Sequence, residues 1–101
     1  MTQEEKEVLA IYNHRNRTSY NESNWINGIH WPWVCIYQNL SEAFIERHQD
    51  RVDWQEISHF QKLSEPFIEK FADRVDWESI SACQRLSDSF IKKHADHLID
   101  A

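Results

Sequence analysis

The sequence predicts an all-α fold, and three features predict it. A 23-residue unit recurs along the last two-thirds of the chain, each copy carries two helix-start signals, and turn residues are scarce. Of 101 residues, one is Gly and two are Pro, whereas all-β folds consume both in their turns. The chain is 41% apolar and 13% aromatic, with five tryptophans, a composition far from that of disordered segments. Its length predicts a single domain, 1–101, with a modest core. Within it, residues 1–28 are expected to form a cap and residues 29–101 the repeats.

The first element is a helix. Thr2 is placed to cap it and Glu5 to close a capping box, and Val8, Leu9, Ile11 and Tyr12 form its apolar stripe. Residues 13–28 are polar and Asn-rich. They read as a loop with one short helical turn around Asn24 to Asn27.

The repeats follow. Residues 40–62 read LSEAFIERHQDRVDWQEISHFQK and residues 63–85 read LSEPFIEKFADRVDWESISACQR, with 14 of 23 positions identical. Residues 86–101, LSDSFIKKHADHLIDA, begin a third copy that stops partway. Residues 29–39 match the end of a unit, with Ile29 on Val52, Trp31 on Trp54, Val34 on Ile57 and Gln38 on Gln61. A fixed period of this length is the signature of a helical-repeat array.

Each unit predicts two short helices. In Leu-Ser, the caps are Ser41, Ser64 and Ser87, and the staples pair Leu40 with Ile45, Leu63 with Ile68 and Leu86 with Ile91. In Val-Asp-Trp, the caps are Asp53 and Asp76, with His30 in the degenerate copy. Glu56 offers a variant capping box, and Val52 with Ile57 and Val75 with Ile80 form the staples. Pro32 and Pro66 fall in first turns, where a missing N–H matters least. Helices this short need tertiary packing, and stacked copies supply it, so the expected architecture is a short α-solenoid with an N-terminal capping helix. The expected core comprises Phe44, Ile45 and His48, then Phe67, Ile68 and Phe71, then Phe90, Ile91 and His94. The second helices add Trp54, Ile57 and Phe60, and Trp77, Ile80 and Cys83.

The units resemble the short helical repeats of bacteriophage and giant-virus proteins. The motifs are Leu-Ser-Glu-x-Phe-Ile, Asp-Arg-Val-Asp-Trp-x-x-Ile-Ser and a closing Gln, over about residues 29–101. The resemblance implies a viral origin and a helical-repeat scaffold, and it carries over no catalytic residues.

Aligning the copies also filters the chemistry. Asp50 with Asp53, and Asp73 with Asp76, recur as caps and solvated loops, and the Leu-Ser serines are caps. The expected state of Cys35 and Cys83 is two buried free thiols, since no Cys-x-x-Cys exists. His94 falls on a packing position and His97 on a connector, which disfavours a metal site. Neither an enzyme, a cofactor nor a metal is expected. Formal net charge is −6, of which residues 40–101 hold −5. That excess of acid opposes direct nucleic-acid binding. No apolar run is long enough to span a membrane, and the acidic N-terminus MTQEEKEVLA does not read as a signal peptide. The expected location is the cytoplasm.

The remaining expectation is a noncatalytic module that docks on another protein. The viral resemblance and acidic charge point to an inhibitor of a host or defence component, such as a CRISPR inhibitor. Contacts are expected from exposed or unrepeated side chains, namely Arg15, Arg17, Tyr20, Trp25 and Trp33, then Gln55, Glu56, His59 and Glu78. The alternative is a structural array that self-associates, as a homodimer, through an open C-terminal end.

Overall fold

The computed structural model describes residues 1–98. Nine helices and no strand are found among the described residues. The expected incomplete ending of the third copy at Ala101 lies outside them. The sequence reads as one domain, yet the chain groups into two compact units, Met1–Val52 and a second beginning at Asp53.

The first unit contains α1 (Gln3–Asn16), α2 (Trp25–Gly28), α3 (Trp31–Tyr37) and α4 (Glu42–Arg47). The expected capping box starts α1: Thr2 Oγ1 accepts the Glu5 N–H at 3.0 Å, and a Glu5 carboxylate oxygen accepts the Thr2 N–H at 2.7 Å. Val8, Leu9 and Tyr12 are buried, but Ile11 is 48% exposed. One residue turns an α-helix by about 100°, so Ile11 falls off the stripe that Val8 and Tyr12 define.

Helix α1 also runs past the expected boundary at residue 13, to Asn16, before Arg17 closes it in the left-handed conformation (φ 55°). Asn13 stabilises this ending. Its amide donates to the Tyr20 carbonyl and its side-chain oxygen accepts from Thr18 and from the Tyr20 N–H. Asn21 and Asn24 make similar local bonds ahead of α2. The Asn-rich stretch is thus a set of side-chain-to-backbone turns.

Gly28 is needed for closeness. A Cβ there would lie 2.3 Å from a Tyr20 ring carbon. Gly28→Ala is expected to destabilise the protein by about 1–2 kcal/mol through overpacking, and Tyr20→Ala should remove most of that difference. Urea denaturation of the two single variants and the double variant checks it.

The second unit contains α5 (Trp54–Phe60), α6 (Glu65–Lys70), α7 (Trp77–Cys83), α8 (Asp88–Lys93) and α9 (Ala95–Leu98). Helix α5 packs on α7, and α9 packs on α7 and α8. In the third copy the connector has become α9.

Most caps stand where the sequence puts them. Ser41, Ser64 and Ser87 accept the N–H of Phe44, Phe67 and Phe90, and Asp53 accepts that of Glu56. Ser41 and Ser87 also send their own N–H and hydroxyl to one glutamate each, Glu4 and Glu65. Two expected caps differ. Asp76 precedes α7 but accepts the Ser79 hydroxyl (2.7 Å), and His30 makes no side-chain cap. The His30 N–H instead donates to the Tyr12 hydroxyl at 2.9 Å.

One ring cluster recurs three times among the described residues. Trp31 packs on Phe44 and His48, Trp54 on Phe67 and Phe71, and Trp77 on Phe90 and His94, with centroids 5.0–6.3 Å apart. The indole N–H of Trp31 and of Trp77 donates to the carbonyl five residues earlier, on Ile26 and Ala72. Indole therefore contributes both area and a satisfied donor.

The expected core needs three corrections. Ile91 is 43% exposed, although Ile45 and Ile68 at the same repeat position are fully buried. Phe60 is 49% exposed and Cys83 is exposed, as is Tyr37 at the matching position. Trp54 and Trp77 are half-buried. The buried stripe of the second helices is Trp31, Val34, Cys35 and Gln38, repeated at Ile57, Ser58 and Gln61. These follow i, i+3, i+4, i+7 spacing, which leaves residues 37, 60 and 83 outward.

Ser58 shows what that stripe needs. It is fully buried, and its hydroxyl accepts the Asp76 N–H at 2.9 Å. Ser58→Ala orphans that donor and is expected to cost about 1–3 kcal/mol. Ser81, half-buried with its hydroxyl donating to the Glu78 carbonyl, should tolerate Ala with less than about 0.5 kcal/mol. Paired denaturant titrations of the two variants measure the contrast.

Candidate functional site

The outward position at the end of each second helix creates two clefts, one in each unit. In the first unit, a cleft of about 590 Å³ lies between Glu4, Glu7, Ile11 and Arg15 of α1 and Tyr37 and Asn39. In the second, a cleft of about 540 Å³ lies between His59, Phe60 and Lys62 at the end of α5 and Cys83, Gln84 and Arg85 at the end of α7. Tyr37, Phe60 and Cys83 share one repeat position, and Asn39, Lys62 and Arg85 share another.

Glutamine side chains hold the walls. The Gln38 amide donates to the Val8 carbonyl at 3.1 Å. The Gln84 amide donates to the carbonyls of Ser58 and Gln61, and its oxygen accepts the Leu63 N–H. These bonds tie each helix end to its neighbour and fix the clefts. In the second, the His59 ring lies 4.4 Å from that of Phe60, and His59 Nδ1 is 3.5 Å from Cys83 Sγ. The pairing of two buried thiols does not hold: Cys35 is buried and Cys83 faces water.

A third feature, in the first unit, was invisible in the sequence. Glu5 is 4% exposed, and the oxygen not bonded to Thr2 meets His48 Nε2 at 2.7 Å and Arg47 Nε at 3.1 Å. Burial acts to raise the Glu5 pKa, but the Thr2 N–H, the His48 hydrogen bond and the Arg47 charge together hold it below the ordinary carboxylate value. A cleft of about 530 Å³ opens beside this cluster, bordered by Met1, Glu22, Trp25 and Arg51. In the second unit, Lys93 and His94 similarly hold the Glu69 carboxyl below its usual range.

The expected contact residues scatter. Arg15 and His59 border the two clefts. Arg17, Gln55 and Glu78 are exposed and Glu56 is half-buried, without a shared cluster. Trp33 packs edge-on against Tyr12, 5.3 Å between centroids, and also meets Tyr37. Tyr20 is half-buried over Gly28. Trp25 is 2% exposed and belongs to the core, so it presents no surface to a partner. The residues that reasoning from aligned identity missed are Ile11, Tyr37, Phe60, Lys62, Cys83 and Arg85. The angular position of each on its helix was the available signal.

No protein family, curated protein or solved structure matches this chain. No group of three His, Cys, Asp or Glu residues is arranged to hold a metal among the described residues, and no described helix is long and apolar enough to cross a membrane.

Proposed function

We propose that this protein is a noncatalytic docking module, a short helical-repeat array that binds another protein through exposed side chains at the ends of its second helices. One observation supports this reading above others: Tyr37 is 68% exposed and Phe60 49% exposed at one repeat position, with Ile11 48% exposed beside Tyr37 in its cleft. Large apolar side chains held in water on otherwise packed helices are what interaction surfaces contain. The Ser, Asp and Gln residues described above meanwhile serve caps and walls. The resemblance to viral repeats adds the finer proposal that the partner is a host or defence protein that docking inhibits.

The test is affinity capture from host lysate at near-physiological salt, with wild type and Tyr37→Ala/Phe60→Ala baits side by side. A stoichiometric complex with one protein, weakened by the double substitution, is expected. Recovery of no specific protein sinks the reading.

Ile91 favours a second reading, self-association through the third copy, because its equivalents are buried. Sedimentation equilibrium of wild type and Ile91→Asp decides it. A mass independent of concentration removes that reading.

A further inference from the structure

We propose that the cleft at the ends of α5 and α7 receives an acidic segment of a partner protein, with a large apolar side chain between its carboxylates. This rests on the docking reading and names the chemistry of the partner.

The cleft joins an apolar centre to positive charge. Phe60 is half in water, backed by the His59 ring and close to Cys83. Lys62 and Arg85, both exposed, occupy the same repeat position on the two walls. Neither makes an ion pair among the described residues, although Arg47 and Lys93 do, with Glu5 and Glu69. The chain carries a net −6, so two cations with no ion pair among the described residues, beside an exposed aromatic, run against its overall balance. No carboxylate among the described residues lines this cleft. In the first unit, the matching residue is Asn39 and the cleft carries Glu4 and Glu7, so the positive character belongs to the second-unit cleft.

Charge complementarity chooses the occupant. Paired cations steer an acidic segment in and fix its register, while an aromatic or aliphatic anchor supplies most of the affinity. A cleft of about 540 Å³ has room for such a side chain.

The experiment titrates the full chain into a fluorescein-labelled peptide, Glu-Glu-Glu-Phe-Leu-Glu-Glu-Glu, and reads anisotropy. Two control peptides replace Phe-Leu by Ala-Ala, or every Glu by Lys. The acidic apolar peptide should bind saturably, and more weakly as salt rises from about 0.05 to 0.3 M. Lys62→Glu/Arg85→Glu should weaken it by about tenfold or more, as should Phe60→Ala. Lys62→Gln/Arg85→Gln gives the same direction of change if the reversed pair alters the circular dichroism spectrum. Absence of saturable binding, equal binding of the Lys peptide, or an unchanged affinity in the charge variants overturns the proposal. So does a concentration-dependent dimer that the charge reversal abolishes, since a second copy would then be the occupant. Capture from lysate separates the two levels. A partner retained equally by wild type and Lys62→Glu/Arg85→Glu refutes the acidic-segment proposal and leaves the docking module standing. Peptide binding without any captured protein supports the cleft's preference for acidic apolar segments and counts against a partner in that host.

Discussion

Trp25→Ala is expected to destabilise the first unit by about 3–5 kcal/mol, the range for truncating a buried aromatic. The residue is 2% exposed. Its ring lies 5.8 Å from that of Trp31 and meets His48 edge-on at 5.3 Å. Removing it takes away one ring of a cluster of four, with Trp31, Phe44 and His48, and leaves a cavity that rigid neighbours refill poorly. The four-residue α2 that carries it has little stability of its own, so the backbone there loses its main anchor. Stability of small domains totals only about 5–15 kcal/mol, which makes this a large fraction. Urea unfolding followed by tryptophan fluorescence, with Trp33→Ala as the half-buried comparison, measures it. Trp33 should cost less than half as much. An equal effect would mean that Trp25 is not the anchor.

The contrast between these two tryptophans shows what the sequence carries. Caps and ring positions were legible because both are local and repeat. Ser41, Ser64 and Ser87 bond the N–H three residues on in all three copies, and the Trp–Phe pairing recurs with them. Alignment by identity failed where copies share a position but not a fate. Ile91 matches Ile45 in sequence, yet one is in water and the other is not, because burial depends on what lies opposite. The clefts were missed for a related reason. Phe60 and Tyr37 look like core residues by type, and only the angle from Ile57 and Val34 turns them outward. Residues 1–28 have no second copy to compare. Their long-range bonds, such as Gln38 to Val8 across 30 residues, leave no periodic trace.

The Glu5 cluster is the clearest case of such a bond, and it makes the second prediction. Glu5→Gln is expected to cost about 2–3 kcal/mol at neutral pH. Breaking a fully buried pair costs more, but Arg47 is 61% exposed and its share is screened by water. The rest comes from His48, whose side chain is 7% exposed and whose Nε2 lies 2.7 Å from the Glu5 carboxylate. The loss should depend on pH with a definite sign. The folded Glu5 pKa lies below the ordinary value of 4.5. A carboxylate with a depressed folded pKa contributes stability that is fully present above its unfolded pKa and fades as pH falls through the folded one. Wild type and Glu5→Gln should therefore differ most above 4.5 and converge below it. Met1, Glu22, Asp50 and Arg51 line the adjoining cleft and are the same in both proteins, so the difference isolates Glu5. Urea midpoints of the pair across the acid range read the curve. A difference that stays constant through the acid limb would show that Glu5 acts there by shape alone, with no contribution from its charge.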